Sequence, residues 1–276
     1  MRFGLFGLNF GPCADPALAI RVAVAAEESG FESVWTGEHV AMPIRDNPVP
    51  TPAETPLLDS LVALANVAAH TRRLRLGTGI LVLPHHNPVL LAKALTTLDL
   101  VSGGRLIAGF GGGYVEAEFR ALGVSFKDRG AITDEYLEAI RVLWTEELPR
   151  FQGRHAAFDG IRFEPKPRQR PHPPIVVGGH APPALRRAAR FGDGWYGFGL
   201  TVETAAPMVQ ELRRLRATTG RPPLEISLTT FEPLTPALVA QATQAGVDRL
   251  IVMPRVRAEQ LEATVRALGA QFARAG

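Results

Sequence analysis

The chain has 276 residues, 46% of them hydrophobic and 21% charged, enough apolar material to bury a sizeable core and too much for a disordered chain. Its formal net charge is +3, with arginines spread over helical stretches rather than gathered, so no nucleic-acid-binding stripe is present. The lone Cys13 excludes a disulfide framework and a cysteine-based zinc site, and no apolar run reaches the ~20 residues of a membrane span, so a cytoplasmic protein is expected.

Strand and helix patterns alternate along the chain. Phe3–Leu8 reads as a strand, too short and glycine-rich for a signal segment. Pro16–Ser29 follows as a helix, with Asp15 as N-cap and Gly30 past its end. Phe31–Trp35 is the second strand and Pro56–His70 the second helix. The third strand lies in Leu74–Leu83. It is apolar and partly β-branched, but Gly77 and Gly79 interrupt it, which marks a bulge or a close approach of a ligand or backbone. Pro84 stops it, His85 and His86 follow, and Asn87-Pro88 opens the helix Pro88–Val101. Arg105–Phe110 is the fourth strand, with helices over Val115–Leu122 and Ile132–Thr145.

Residues 146–174 break the rhythm. They are proline-rich, show no clear helix, and suggest a short hairpin of Phe151–His155 with Phe158–Phe163 turned by Asp159-Gly160. An insertion or lid within one domain, residues 1–276, is expected there. The basic run Lys166–Arg170 reads as a solvated loop, near enough in principle to touch an anionic tail. Alternation then resumes with strands Ile175–Val177, Gly194–Phe198, Leu224–Phe231 and Arg249–Met253, and helices Ala184–Phe191, Val202–Thr218, Pro236–Ala245 and Ala258–Ala273. Eight strands alternating with eight principal helices predict an α/β fold, a (β/α)8 TIM barrel with its insertion between strands 4 and 5. A doubly wound sheet would want Gly-x-Gly-x-x-Gly after the first strand, which Gly7–Pro12 does not supply.

Such a barrel carries its chemistry at the carboxyl ends of the strands. There lie Asn9, Thr36-Gly-Glu-His39, Gly79-Ile80, His85-His86, Gly109–Glu116, Gly178-Gly-His180, Trp195-Tyr196 and Thr229–Glu232. Gly111-Gly112-Gly113 and Gly178-Gly179 lead into helices and can present backbone N–H groups to a phosphate, though neither is a Walker loop and glycine turns also arise for steric reasons. His39 is the candidate for proton chemistry or a hydrogen bond to a polar ring atom, against the plainer reading of a loop cap; Glu38 can orient that loop. Adjacent His85 and His86 point opposite ways on an extended segment, so a shared metal is not expected. No Gly-x-Ser-x-Gly elbow or glycosidase-like acid pair is present.

Arg2–Phe6 with Asn9, Ala25–His39, Gly77–Leu81, Asn87-Pro88, Gly103–Leu106, Gly109–Gly113, Pro174–Gly179 and Phe191–Trp195 resemble, in order, the bacterial luciferase-like flavin monooxygenase superfamily. More narrowly they resemble its small oxidoreductases that use the deazaflavin coenzyme F420. The resemblance implies a barrel with the cofactor at the carboxyl rim, and a non-prolyl cis peptide ending the third strand, here Gly79-Ile80, pressed against the middle ring. It implies His39 near ring or substrate. It assigns the phosphate of the ribityl tail to Gly111, Gly112, Gly113, Gly178, Gly179 and His180, with Glu38 and Tyr114 on the cofactor side. The related sugar-phosphate dehydrogenases carry a glutamate where this chain has Tyr114, which argues against that activity; Glu116 is a further acid nearby.

An F420-dependent oxidoreductase acting on a small organic molecule is therefore expected. The alternative is an FMN-dependent monooxygenase fed by a separate reductase. A cofactor carrier and a metal-dependent hydrolase are the rival classes. A homodimer is expected from the resemblance. Residues 41–55 and 146–174 are expected to roof the substrate pocket.

Overall fold

The computed structural model describes residues 1–273. Its elements run β1 (Arg2–Phe6), α1 (Pro16–Glu28), β2 (Ser33–Thr36), α2 (Ser60–His70), β3 (Arg75–Thr78), β4 (Leu81–Val82), α3 (Pro88–Val101), β5 (Leu106–Gly111), α4 (Glu116–Ala121) and α5 (Arg129–Thr145). They continue with β6 (Phe151–Gln152), β7 (Ala157–Phe158), β8 (Ile175–Gly178), α6 (Pro182–Phe191), β9 (Gly194–Phe198), α7 (Val202–Ala217), β10 (Glu225–Thr229), α8 (Pro236–Ala245), β11 (Arg249–Val252) and α9 (Ala258–Leu268). Helix starts follow local chemistry. Asp15, Asp59, Asn87, Thr201 and Thr235 accept backbone N–H groups of the first turn, and proline occupies the opening of α1, α3, α6 and α8.

The strands close into a parallel ring, β1-β2-β3-β5-β8-β9-β10-β11, with β11 returning to β1. The third place in the ring is shared. β3 pairs with Leu106 and Ile107, β4 with Phe110 and Gly111, and between them the Gly79-Ile80 peptide is cis. At the break the Thr78 hydroxyl donates to the Gly109 carbonyl at 2.9 Å and accepts from the Gly109 N–H at 2.7 Å. One side chain thus satisfies the two backbone groups that the departing strand would leave orphaned. Glycine is required beside it: a Cβ on Gly77 would lie 2.3 Å from the Trp35 ring, and one on Gly79 2.8 Å from Tyr196.

Apolar packing forms two shells. The larger lies between strands and helices. The smaller fills the barrel with Phe6, Trp35, Ile107, Val176, Tyr196 and Ile251, and carries the partly buried Ile80, Phe198 and Met253. At the amino ends of the strands the barrel foot is charged. Fully buried Arg249 meets Glu32 at 2.9 and 3.0 Å, Ser227 at 3.0 Å, and Glu225, which also pairs with Arg2 at 2.6 Å. Burial opposes ionisation of Glu32, but the Arg249 guanidinium prevails and holds its carboxyl below the ordinary range.

Two expectations about residues 146–174 change. The hairpin is shorter and turns at Gly153–Ala156, not at Asp159-Gly160: Phe151 pairs with Phe158, and the Glu135 carboxylate gathers the turn by accepting the N–H groups of Arg154, His155 and Ala156. The segment is fastened to the barrel flank. Lys93 of α3 donates to the Glu164 carbonyl, Lys166 to the carbonyls of Leu143 and Glu146, and Gln169 is bound by Asp99 and the Leu106 carbonyl at the foot. Gln169 thereby places the basic run Lys166–Arg170 at the foot, the opposite end from Gly79-Ile80. The β2–α2 connection does border the mouth, because buried Asn9 binds both Gly37 and the Leu58 carbonyl, while Gly11 N–H donates to Pro56.

Candidate active site

The broken third strand sets the geometry. The Ile80 side chain is seated against Gly111 and Gly178, where a Cβ would lie 2.6 and 2.9 Å from it. Those two glycines are therefore explained by the space Ile80 takes. Gly113 and Gly179 adopt positive φ, +73° and +117°, which favours glycine on backbone grounds. Gly112 has room beside it, its nearest neighbour being the Thr133 hydroxyl at 3.4 Å.

His39, after β2, is 16% exposed at its side chain, and its Nδ1 lies 3.1 Å from Glu118 Oε2 on α4. Glu118 is 2% exposed, and its other oxygen accepts the N–H groups of Val40 at 2.7 Å and Ala41 at 3.3 Å. Burial would raise the carboxyl pKa. The hydrogen bond and charge of His39, with the two amides, outweigh it and hold Glu118 below its ordinary value. Ionised Glu118 takes the proton-bearing face of the imidazole at Nδ1, which leaves Nε2 as the nitrogen available to a bound molecule.

Glu38 turns away from His39. Its Oε2 accepts the Val82 N–H at 2.6 Å and its Oε1 meets His86 Nε2 at 2.9 Å. Burial depresses the His86 pKa, but the Glu38 hydrogen bond and charge, with Asp59, raise it overall. Glu38 thus ties the end of β2 to the resumed third strand just beyond Ile80. His85 goes elsewhere: its ring stands edge-on to Phe119 at 4.5 Å, both ring nitrogens lack a partner, and burial lowers its pKa. Among the described residues no three His, Cys, Asp or Glu side chains converge as a metal site.

Tyr114 is 56% exposed and stands edge-on to His39, with ring centroids 6.1 Å apart. Burial and then the Glu118 charge raise its phenol pKa. Glu116 points to solvent. His180 Nε2 accepts the Phe198 N–H at 3.3 Å, burial lowers its pKa, and Trp195 donates to the Gly179 carbonyl at 2.9 Å. Tyr196 is buried with its hydroxyl 2.7 Å from Thr229, so it supports the floor from below. Cys13 is buried, and burial followed by Asp15 pushes its thiol up to about 11. A cleft of about 580 Å³ lies elsewhere, between α7 and α8 beside Glu203, Gln210 and Gln241.

Sequence reading found His39 but not Glu118, which is 79 residues away. The available signal was its place beside Phe119 on the apolar side of a short helix, where an acid needs a partner. Apolar Ile80, Phe198 and Met253 share the carboxyl rim with His39, an arrangement that can take a flat ring carrying polar atoms.

The chain is similar to several known proteins. An uncharacterised protein of Mycobacterium tuberculosis is 32% identical over 99% of both chains. An F420-dependent glucose-6-phosphate dehydrogenase of Amycolatopsis mediterranei is 32% identical over 71% of this chain and 59% of its own. An FMNH2-dependent dimethylsulfone monooxygenase of Pseudomonas putida is 34% identical over 55% of this chain and 42% of its own. The crystal structure of the monooxygenase RslO1 from Streptomyces bottropensis superposes with a TM-score of 0.83 at 25% identity, covering 100% of this chain and 99% of that one. The profile of the luciferase-like monooxygenases matches residues 1–274, and the chain belongs to that family.

Proposed function

We propose that this member of the family is an F420-dependent oxidoreductase acting on a small organic substrate, with His39 as its proton-handling group. The observation that carries the reading is the Glu118-bound His39 on the same barrel rim as the partly buried apolar Ile80, Phe198 and Met253. The cofactor, when bound, supplies a hydride at the central carbon of its tricycle. The chain supplies the rest. Gly79 and Ile80 would underlie the ring. Glu38, through Val82 and His86, fixes the strand that carries them. Glu118 fixes the His39 tautomer, so Nε2 can take up a proton, or deliver one as the imidazolium, at a substrate heteroatom. Backbone N–H groups around Gly111–Tyr114 and at Gly178, Gly179 and His180 would hold the tail phosphate. At the second loop Pro182 and Pro183 carry no N–H and Ala184 donates to Ala181, so its anion-binding capacity rests on the residues before the helix. The reading is supported by the F420-dependent relative of Amycolatopsis mediterranei, which matches 71% of this chain.

The second reading is an FMN-dependent monooxygenase supplied by a separate reductase, favoured by the Pseudomonas putida relative at 34% identity. Titrating the pure protein with each cofactor and following the visible spectrum separates them. Saturable F420 binding is expected; tight FMN binding with no response to F420 overturns the preference. We also propose a cytoplasmic homodimer. Among the described residues no helix is long and apolar enough to cross a membrane. Adjacent helices α2 and α3 expose Val62 at 70%, Leu90 at 72% and Val101 at 64%, an apolar face suited to a second copy.

A further inference from the structure

Exposed large apolar side chains fall mainly into two groups. One lies on α2 and α3. The other lies on loops that follow the carboxyl ends of different strands: Val40 and Ile44 after β2, Tyr114 after β5, and Phe231 after β10. Parallel strands put all four at one end of the barrel, the end that holds Gly79-Ile80 and His39. Aromatic contacts link this rim to the floor. Phe231 is edge-on to Phe198 at 5.6 Å, and Phe198 lies 5.0 Å from Phe6, while Tyr114 stands against His39. The carboxylates nearest His39 are spent internally: Glu118 on His39 and two amides, Glu38 on Val82 and His86. Farther out, Glu232 accepts from Thr230, and the Arg255 guanidinium lies over the Phe231 ring at 4.1 Å.

From this distribution we infer that the substrate is an uncharged, predominantly apolar molecule of ring size, gripped by Tyr114 and Phe231 and presenting one hydrogen-bonding heteroatom to His39. The inference rests on the oxidoreductase reading and narrows it. A rim of this kind contributes by removing apolar and aromatic surface from water. An anionic substrate would forfeit hydration here without a buried cation to replace it. The Arg255 guanidinium is already applied to Phe231, and that of Arg129 to Phe126 at 3.9 Å.

The test uses three probes on the cofactor-loaded protein: 2-acetylnaphthalene, 2-naphthoate, and glucose 6-phosphate. The first two share a ring system and differ in charge. Binding is read by calorimetry and by perturbation of the bound cofactor's absorbance. Saturable binding of 2-acetylnaphthalene is expected, with 2-naphthoate at least tenfold weaker and no binding of glucose 6-phosphate. Tyr114→Ala and Phe231→Ala should each weaken the ketone about tenfold, while in Phe231→Ala cofactor affinity and melting temperature stay near those of the parent, since that side chain is more than one-third exposed. Tighter binding of either anion, with the preference abolished in Arg255→Gln, overturns the inference and leaves the oxidoreductase reading standing. Equal binding of the ketone to parent and both variants overturns it as well. No spectral response to F420 or FMN, before any probe is added, removes both.

Discussion

Replacing Glu118 by glutamine is the sharpest test of how His39 is held. The native carboxylate accepts from His39 Nδ1 at 3.1 Å and from the Val40 and Ala41 amides at 2.7 and 3.3 Å. Glutamine keeps one acceptor oxygen for the amides but turns an NH2 group toward Nδ1. The imidazole must then accept at Nδ1 and carry its proton on Nε2, which reverses the face offered to substrate. A hydrogen bond to a charged group contributes about 1.5–3 kcal/mol, and about 1.4 kcal/mol is a factor of ten, so kcat/KM should fall roughly ten- to a hundredfold with cofactor affinity little changed. Glu118→Ala also leaves two amides and the imidazole without their acceptor, so it should lower stability by about 2–4 kcal/mol. The sign with pH follows from the depressed carboxyl pKa. The carboxylate's contribution is present above the ordinary glutamate range and is lost as pH falls through the folded-state value, so parent and alanine variant should converge on acidification. The assays are pH–rate profiles of cofactor-loaded enzyme and urea unfolding at several pH values. A glutamine variant with the parental rate and pH profile refutes the reasoning.

Other consequences are open to direct measurement. Arg249→Met should destabilise the protein by about 3–5 kcal/mol in denaturant unfolding, because it strands Glu32 and Glu225 at the foot; a loss below about 1 kcal/mol would mean that solvent or another arginine takes over. The same foot predicts acid sensitivity, since the depressed Glu32 pKa makes its contribution vanish as pH falls below the usual carboxylate range. Val62→Glu with Leu90→Lys should convert a dimer to a monomer in sedimentation equilibrium, and an unchanged mass would assign dimerisation to another face. Cys13 should resist a disulfide reagent at neutral pH until the chain is unfolded, its thiol being buried and pushed up to about 11; rapid labelling of the native protein would contradict this.

Much of the fold was legible because it is written locally. Alternating patterns gave the strand and helix order, and α3, β9 and α8 have the boundaries read from the sequence, each with turn or cap chemistry at its ends. Gly77 and Gly79 announced the broken strand, since only a missing side chain allows Trp35 and Tyr196 so near. What stayed hidden depends on partners far apart in the chain. Glu118 reaches His39 across 79 residues and Arg249 reaches Glu32 across 217, and no local pattern encodes such pairs. The segment 146–174 misled for a related reason. Its proline content showed that it is irregular, but Lys93, Glu135 and Asp99 decide where it lies, and each belongs to a helix named earlier in the chain for other reasons.

The Thr78 hydroxyl has a consequence for how such a barrel can change. Because it answers both backbone groups of Gly109, the cylinder stays watertight at the seam even though its third stave is split. Among the described residues the upper half-stave, Leu81–Val82, pairs with β5 and is tied to the neighbouring loop through Glu38. Alterations above the seam can remodel the opening without loosening the lower cylinder. The mouth and the foot of this protein are in that sense separate territories, one free to vary with its ligand and the other bound to persist.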